Sequence, residues 1–167
     1  DGSEKEIIRH GPPSISEQKK IVRLAVKEKI DVLVIECMAV SPEIQWSSEN
    51  LFLNADYMII TNIRNDHLDK MGDNLLEIAE TISLSLPYNS HVISSEKKLG
   101  YFIKEKAEIK KNQYTNTDDI RLKKDELELF NKRVFKDNIA CALKTAQYFK
   151  RDRKTALKGM FSASEDP

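Results

Sequence analysis

The sequence predicts an α/β fold: an open, mostly parallel sheet with helices on both faces. Two observations carry that prediction. The runs Asp31-Val-Leu-Val-Ile35 and Tyr57-Met-Ile-Ile60 are continuously or nearly continuously apolar, the pattern of strands buried on both faces. Around them lie stretches with apolar residues at i, i+3 and i+4, so strands alternate with amphipathic helices along the chain. With 167 residues, 40% apolar and 32% charged, the chain is long enough for one domain with a core of its own.

The elements follow in order. Residues 1–13 hold Gly2, Gly11, Pro12 and Pro13 and read as an irregular lead-in, with the domain running from 14 to 167. Ser14-Ile-Ser-Glu17 fits a capping box, and Ile21, Leu24 and Ala25 extend a helix to about Lys29. A strand is predicted over 31–36, then a helix over 42–53 with Pro42 in its first turn. The next strand spans 57–62, and a turn over 65–72 closes at Gly72. Leu75, Ile78, Ala79 and Ile82 mark a helix, Pro87–Ser90 a turn, and His91–Ser94 a short strand. A charged helix over 97–111 runs into a weaker strand over 109–114, followed by a polar loop at 115–119. Residues 120–136 read as a short helix and then a strand near Arg133–Phe135. Asn138–Phe149 is amphipathic, with Ile139, Ala142, Leu143 and Ala146 on one face, and a last helix over 152–161 presents Ala156, Leu157 and Met160.

Composition narrows the function classes. Lys+Arg and Asp+Glu both number 27, which gives no global basic footprint for nucleic acid, and none is expected as a partner. The paired lysines, such as Lys97-Lys98 and Lys110-Lys111, read as solvated helix faces. Two cysteines far apart, with no C-x-x-C, argue against a disulfide framework or zinc site and for a reducing, cytoplasmic setting. No apolar stretch approaches the length of a membrane span. The chain starts at Asp1 without a signal peptide and reads as a segment of a longer protein. No G-x-x-x-x-G-K-[ST] phosphate loop occurs in it.

Chemistry-bearing residues gather at two predicted strand ends. The first strand delivers Glu36; the second leads through Asn62 into Asn65-Asp66-His67-Leu68-Asp69. Parallel sheets bind ligands beyond the carboxyl ends of their strands. A carboxylate and an imidazole there can share a divalent cation, whose type the pair leaves open. Asp66 and Asp69 offer acceptors that could hold the imidazole in one tautomer. Each residue also has a plainer reading, Glu36 as a helix cap and His67 as a satisfied turn histidine. Asp137-Asn138, at the start of a helix, is either an N-cap or an amide that reads a base edge. Cys37 reads as a small buried residue rather than a nucleophile, Trp46 as a core anchor or a pocket wall, and His10 and His91 lack a recognisable partner.

Taken together, three segments resemble the central, ATP-binding domain of the Mur ligase superfamily. They are Ile35-Glu36-Cys-Met-Ala-Val40, Thr61-Asn62-Ile-Arg-Asn-Asp66-His67-Leu-Asp69-Lys-Met-Gly72 and Phe135-Lys-Asp-Asn138-Ile-Ala140. Within it they are most similar to the ligase subunits of bacterial poly-γ-glutamate (capsule) synthetases. Gly11-Pro12, Glu17-Gln18-Lys19, Ile78-Ala79-Glu80, Pro87-Tyr88-Asn89 and Lys158-Gly159-Met160 through Asp166-Pro167 extend the likeness, in order, over essentially the whole chain.

The resemblance implies an ATP- and Mg2+-dependent amide ligase that adds glutamate to a γ-linked polyglutamate chain through an acyl phosphate. It implies Mg2+ bound by Glu36 and His67, adenine contacted by Asn138, and support of the turn by Asp66, Asp69 and Asn62. It also implies membrane subunits as partners, at the inner face of the cell membrane. Three features depart from the family pattern: the upstream phosphate loop and the C-terminal domain are not in this sequence, and Ile82 stands where many members carry a metal-bridging carbamylated lysine. The isolated chain is accordingly expected to be inert. The alternatives are a folate- or cell-wall-precursor ligase of the same superfamily, and a non-catalytic binding module derived from a nucleotide site.

Overall fold

In the computed structural model, which describes residues 14–130 and 135–163, three short strands form one parallel sheet in the order β1 (Tyr57–Ile60), β2 (His91–Ser94), β3 (Gln113–Asn116). Tyr57 lies opposite His91 and His91 opposite Gln113, so the strands start and end level. The connections are helical, as parallel pairing requires. Short α3 (Leu68–Met71) and α4 (Leu75–Leu84) link β1 to β2, and α5 (Gly100–Ile109) links β2 to β3. Asn74 starts α4 by accepting the Leu76 and Glu77 N–H groups at 3.0 and 3.1 Å. Gly72 separates α3 from α4 at φ 129°, where any side chain would run into Glu77 Cβ.

Alternation along the strands divides the core. Ile60 and Val92, with Met58 and Tyr114 beside them, pack against Ile78, Ala79, Ile103 and Ala107 of α4 and α5. On the opposite face, Ile93 is fully buried, and the Thr115 hydroxyl bonds Tyr148 of α7 (Lys136–Tyr148) at 2.6 Å. α7 joins α6 (Lys124–Leu129) and α8 (Arg153–Ser162) around a second cluster of Ile120, Ile139, Ala140, Leu143 and Leu157.

The α/β class, the parallel sheet and the helices on both faces are as the sequence predicts. One predicted strand is missing. Residues 31–36 form no strand and leave Val32, Leu33 and Val34 exposed. A continuously apolar strand needs cover on both faces. The helix that should supply it, α1 (Ile15–Lys27), forms with Ser14 accepting the Glu17 N–H but buries none of its residues. The predicted helix 42–53 divides into α2 (Pro42–Ser48) and a π-helical turn, Glu49–Leu53. β3 starts later than the predicted 109–114, because left-handed Lys111 and the Asn112 N–H to Ala107 carbonyl bond use those residues to end α5. Residues 133 and 134 of the strand predicted near Arg133–Phe135, the lead-in 1–13 and the tail 164–167 lie outside the described residues. Phe135 itself is the extended residue before α7.

Candidate functional site at the carboxyl end of the sheet

β1 and β2 end together, and the chain beyond each is tied to the other. The Ser94 hydroxyl donates to the Ile60 carbonyl at 3.0 Å, the Ser95 N–H reaches the same oxygen at 3.1 Å, and the Ser95 hydroxyl donates to the Thr61 carbonyl at 2.5 Å. Asn62 is half-buried in this seam, Ile63 is buried, and Arg64–Lys70 turn outward into solvent.

His67 stands at the outer end of the turn, at φ 47°. Its N–H bonds the Asp66 carboxylate at 2.8 Å, and its carbonyl accepts the Lys70 and Met71 N–H groups at 2.9 and 2.8 Å, which starts α3. The imidazole Nε2 lies 3.8 Å from Asp66 Oδ1, an ion-pair distance rather than a hydrogen bond. Asp69 sits in the first turn of α3, and no bond joins it to the ring among the described residues.

Asn138 is in the first turn of α7, its N–H on the Phe135 carbonyl at 3.0 Å. No side chain caps this helix, so the N-cap reading of Asp137-Asn138 does not hold, and the exposed Asn138 amide has no partner among the described residues. The turn and the start of α7 are neighbours: the Arg64 guanidinium lies 5.1 Å from the Phe135 ring centre, and Ser95 Oγ is 3.4 Å from the Asp137 carbonyl. The site therefore unites Asn62, Asp66, His67 and Asp69 on one turn with Asn138 beside it.

Glu36 does not join them. It is exposed in the unpaired 31–36 segment, where the Gln18 amide holds its carbonyl at 3.2 Å. Among the described residues no group of three or more His, Cys, Asp and Glu side chains is placed to hold a metal ion. As arranged, Glu36 and His67 do not fit a shared cation.

Sequence reading missed Ser94-Ser95-Glu96, although the signal was available, since this tripeptide ends a strand just as Glu36 and Asn62 were expected to. Both Glu96 oxygens are occupied: Oε2 accepts the Ile63 N–H at 2.7 Å, and Oε1 accepts the Lys98 and Leu99 N–H groups at 2.7 and 3.0 Å. The last two bonds delay α5 until Gly100. Beyond β2 and β3 opens a cavity of about 280 Å³ with Glu96, Lys97, Tyr101, Lys104, Tyr114 and Asp118 in its wall. Burial pushes the Tyr114 phenol and the Cys141 thiol up, so both keep their protons at neutral pH. Cys37, expected inside, is exposed, with its thiol 3.4 Å from Gln45 Oε1. Trp46 is 44% exposed and lines a shallow apolar hollow with Pro42 and Leu84. His91, at the opposite end of the strands, does have partners, stacking on Tyr57 and tilting against Tyr148.

Two curated proteins are similar to the chain. PGA synthase CapB of Bacillus subtilis (strain 168) is 36% identical over 169 residues, covering 100% of the chain and 43% of that protein. The capsule biosynthesis protein CapB of Bacillus anthracis is 36% identical over 155 residues, covering 93% of the chain and 33% of that protein. The chain thus spans less than half the length of either relative. No family model and no solved structure matches it. Among the described residues no helix is long and apolar enough to cross a membrane.

Proposed function

We propose that the chain supplies the nucleotide-side part of a ligase that builds poly-γ-glutamate, adding glutamate to a growing chain with ATP. The observation that carries this reading is the 36% identity to a PGA synthase along the whole chain. The clustering of polar side chains at the carboxyl end of a parallel sheet is what a nucleotide-binding crevice needs. A carboxylate resists attack by an amine, because an oxide would have to leave. In the proposed reaction a terminal carboxylate oxygen takes the γ-phosphoryl group of ATP and ADP leaves; the glutamate amine then attacks the resulting acyl phosphate, gives up a proton, and inorganic phosphate departs as the amide forms.

Within this scheme Asn138 offers donor and acceptor to the adenine edge. His67, Asp66, Asp69 and Asn62 form the turn nearest the phosphates. Mg2+ belongs to the proposal through the superfamily resemblance, with Glu36 and His67 as its ligands once the 31–36 segment joins the sheet. Association with membrane subunits rests on the same resemblance.

The test is phosphate release in a chain extended to the full length of the relatives. Release that depends on both ATP and a glutamate acceptor is expected, with none from residues 1–167 alone. If the extended chain releases no phosphate with glutamate, or works equally well with a folate acceptor, the proposed substrate is wrong.

A further inference from the structure

Ser95 and Glu96 grip the residues on either side of the two candidate ligand positions. Glu96 accepts from Ile63, and Ser95 donates to Thr61; Asn62 lies between those two contacts. On the other side, Ser95 Oγ is 3.3 Å from Cys141 Sγ and 3.4 Å from the Asp137 carbonyl, both in α7 around Asn138. A hydroxyl has one proton, and the 2.5 Å contact to Thr61 claims it. Cys141, kept protonated by burial, is then the donor to Ser95 and the tie between Ser95 and α7, while the Asp137 carbonyl lies beside the hydroxyl with no proton between them. The dipeptide is buried or half-buried, and each side-chain oxygen of the pair has a partner on another segment or in the first residues leading to α5.

We propose that Ser95 and Glu96 are positioning residues, which hold the Asn62–His67 turn and the Asn138 end of α7 at a fixed separation so that one nucleotide spans both. This rests on the ligase reading for its ligand, but not for its geometry. A glutamine at 96 keeps only one acceptor oxygen, so it must give up either Ile63 or the start of α5. An alanine at 95 loses the Thr61 bond and leaves the Cys141 thiol without its acceptor.

Two measurements test the proposal. Amide exchange on the 167-residue chain reads the grip itself. In Glu96→Ala, which keeps neither acceptor oxygen, the Ile63 N–H should exchange about a hundredfold faster, while Val92–Ser94 keep their protection. Unchanged exchange at Ile63 in this variant overturns the proposal. Steady-state kinetics on the chain extended to the relatives' length read the role. Glu96→Gln and Ser95→Ala should each raise the ATP half-saturation about tenfold and leave that for glutamate unchanged. A merely structural part would lower active fraction and Tm without moving that ratio, and such a result also overturns the proposal. An inactive wild-type extended chain sinks the ligase reading and the positioning of ATP with it; the exchange result still reports whether the grip exists.

Discussion

His67 has the backbone conformation of a residue under tension. Among the described residues five other non-glycine residues have positive φ. Lys29, Asn54, Lys111 and Lys150 follow helix ends, and Asn89 sits in the turn before β2. Helix ends commonly use the left-handed conformation. His67 alone among the described residues has it at a helix start. Such an outlier persists where the surrounding turn over-determines it, and in the proposed ligase reading it places the imidazole. Glycine adopts this φ freely, which separates the backbone from the ring. His67→Gly should leave stability to urea within about 1 kcal/mol of wild type. In the chain extended to the relatives' length, the same change should lower ATP turnover about a hundredfold. Turnover that survives the substitution would remove His67 from the site. The residue was legible in the sequence because it follows an apolar run. Its strain was not, since φ depends on how Asp66 and the start of α3 close the turn. Glu96 follows a strand in the same way, but its role was not legible, because its partners are backbone N–H groups, which no side-chain motif records.

Among the elements, α6 is the one whose attachment depends on charge. Glu126 is pulled down to about 2 by the paired hydrogen bonds from Arg153 at 2.6 and 2.7 Å, with the Lys123 N–H at 2.9 Å assisting. The same Arg153 also donates to the Arg121 carbonyl, so one guanidinium ties the approach to α6 and the helix itself to α8. A carboxylate whose folded pKa lies below its ordinary 4.5 stabilises the fold above that value and loses the contribution as pH falls toward about 2. Glu126→Gln should therefore cost about 2 kcal/mol at pH 7. Denaturant midpoints of variant and wild type should converge toward pH 2. A gap that persists at low pH would show that packing, not charge, holds α6. This pairing was invisible in sequence, because 27 positions separate the partners. The helices were legible where an apolar stripe and a cap coincide, as at Ser14 before Ile21, Leu24 and Ala25. Element edges were missed where caps intervened: Glu96 delays α5, and Lys111 ends it.

At the scale of the molecule, β1 is one of the sheet's two edge strands, and its outer side is open among the described residues. Asp56 and Ile60 give their carbonyls to β2, so the alternate residues Tyr57 and Ile59 point their N–H and C=O groups away from it. Among the described residues β1 pairs with β2 alone, and Ile59 is 41% exposed. The apolar 31–35 run, exposed at 31–34 and half-buried at Ile35, is separated from β1 by α2 and the π-helical turn, a connection of the kind that joins β1 to β2. Sequence periodicity reads what a segment would bury, not whether its cover is at hand, which is why this strand was predicted and is not formed. In a chain extended to the relatives' length, docking of α1 and the added segments should let 31–35 pair with that edge and bring Glu36 to the carboxyl end beside Asn62. Amide exchange reads this directly. The Tyr57 and Ile59 N–H groups should exchange freely in the 167-residue chain and become protected together with residues 32–35 in the longer one, while Met58 and Ile60 are protected in both. Protection of Tyr57 and Ile59 without 32–35 would mean that a different segment takes the edge. Glu36 would then stay apart from His67, and the proposed cation pair would have to be abandoned.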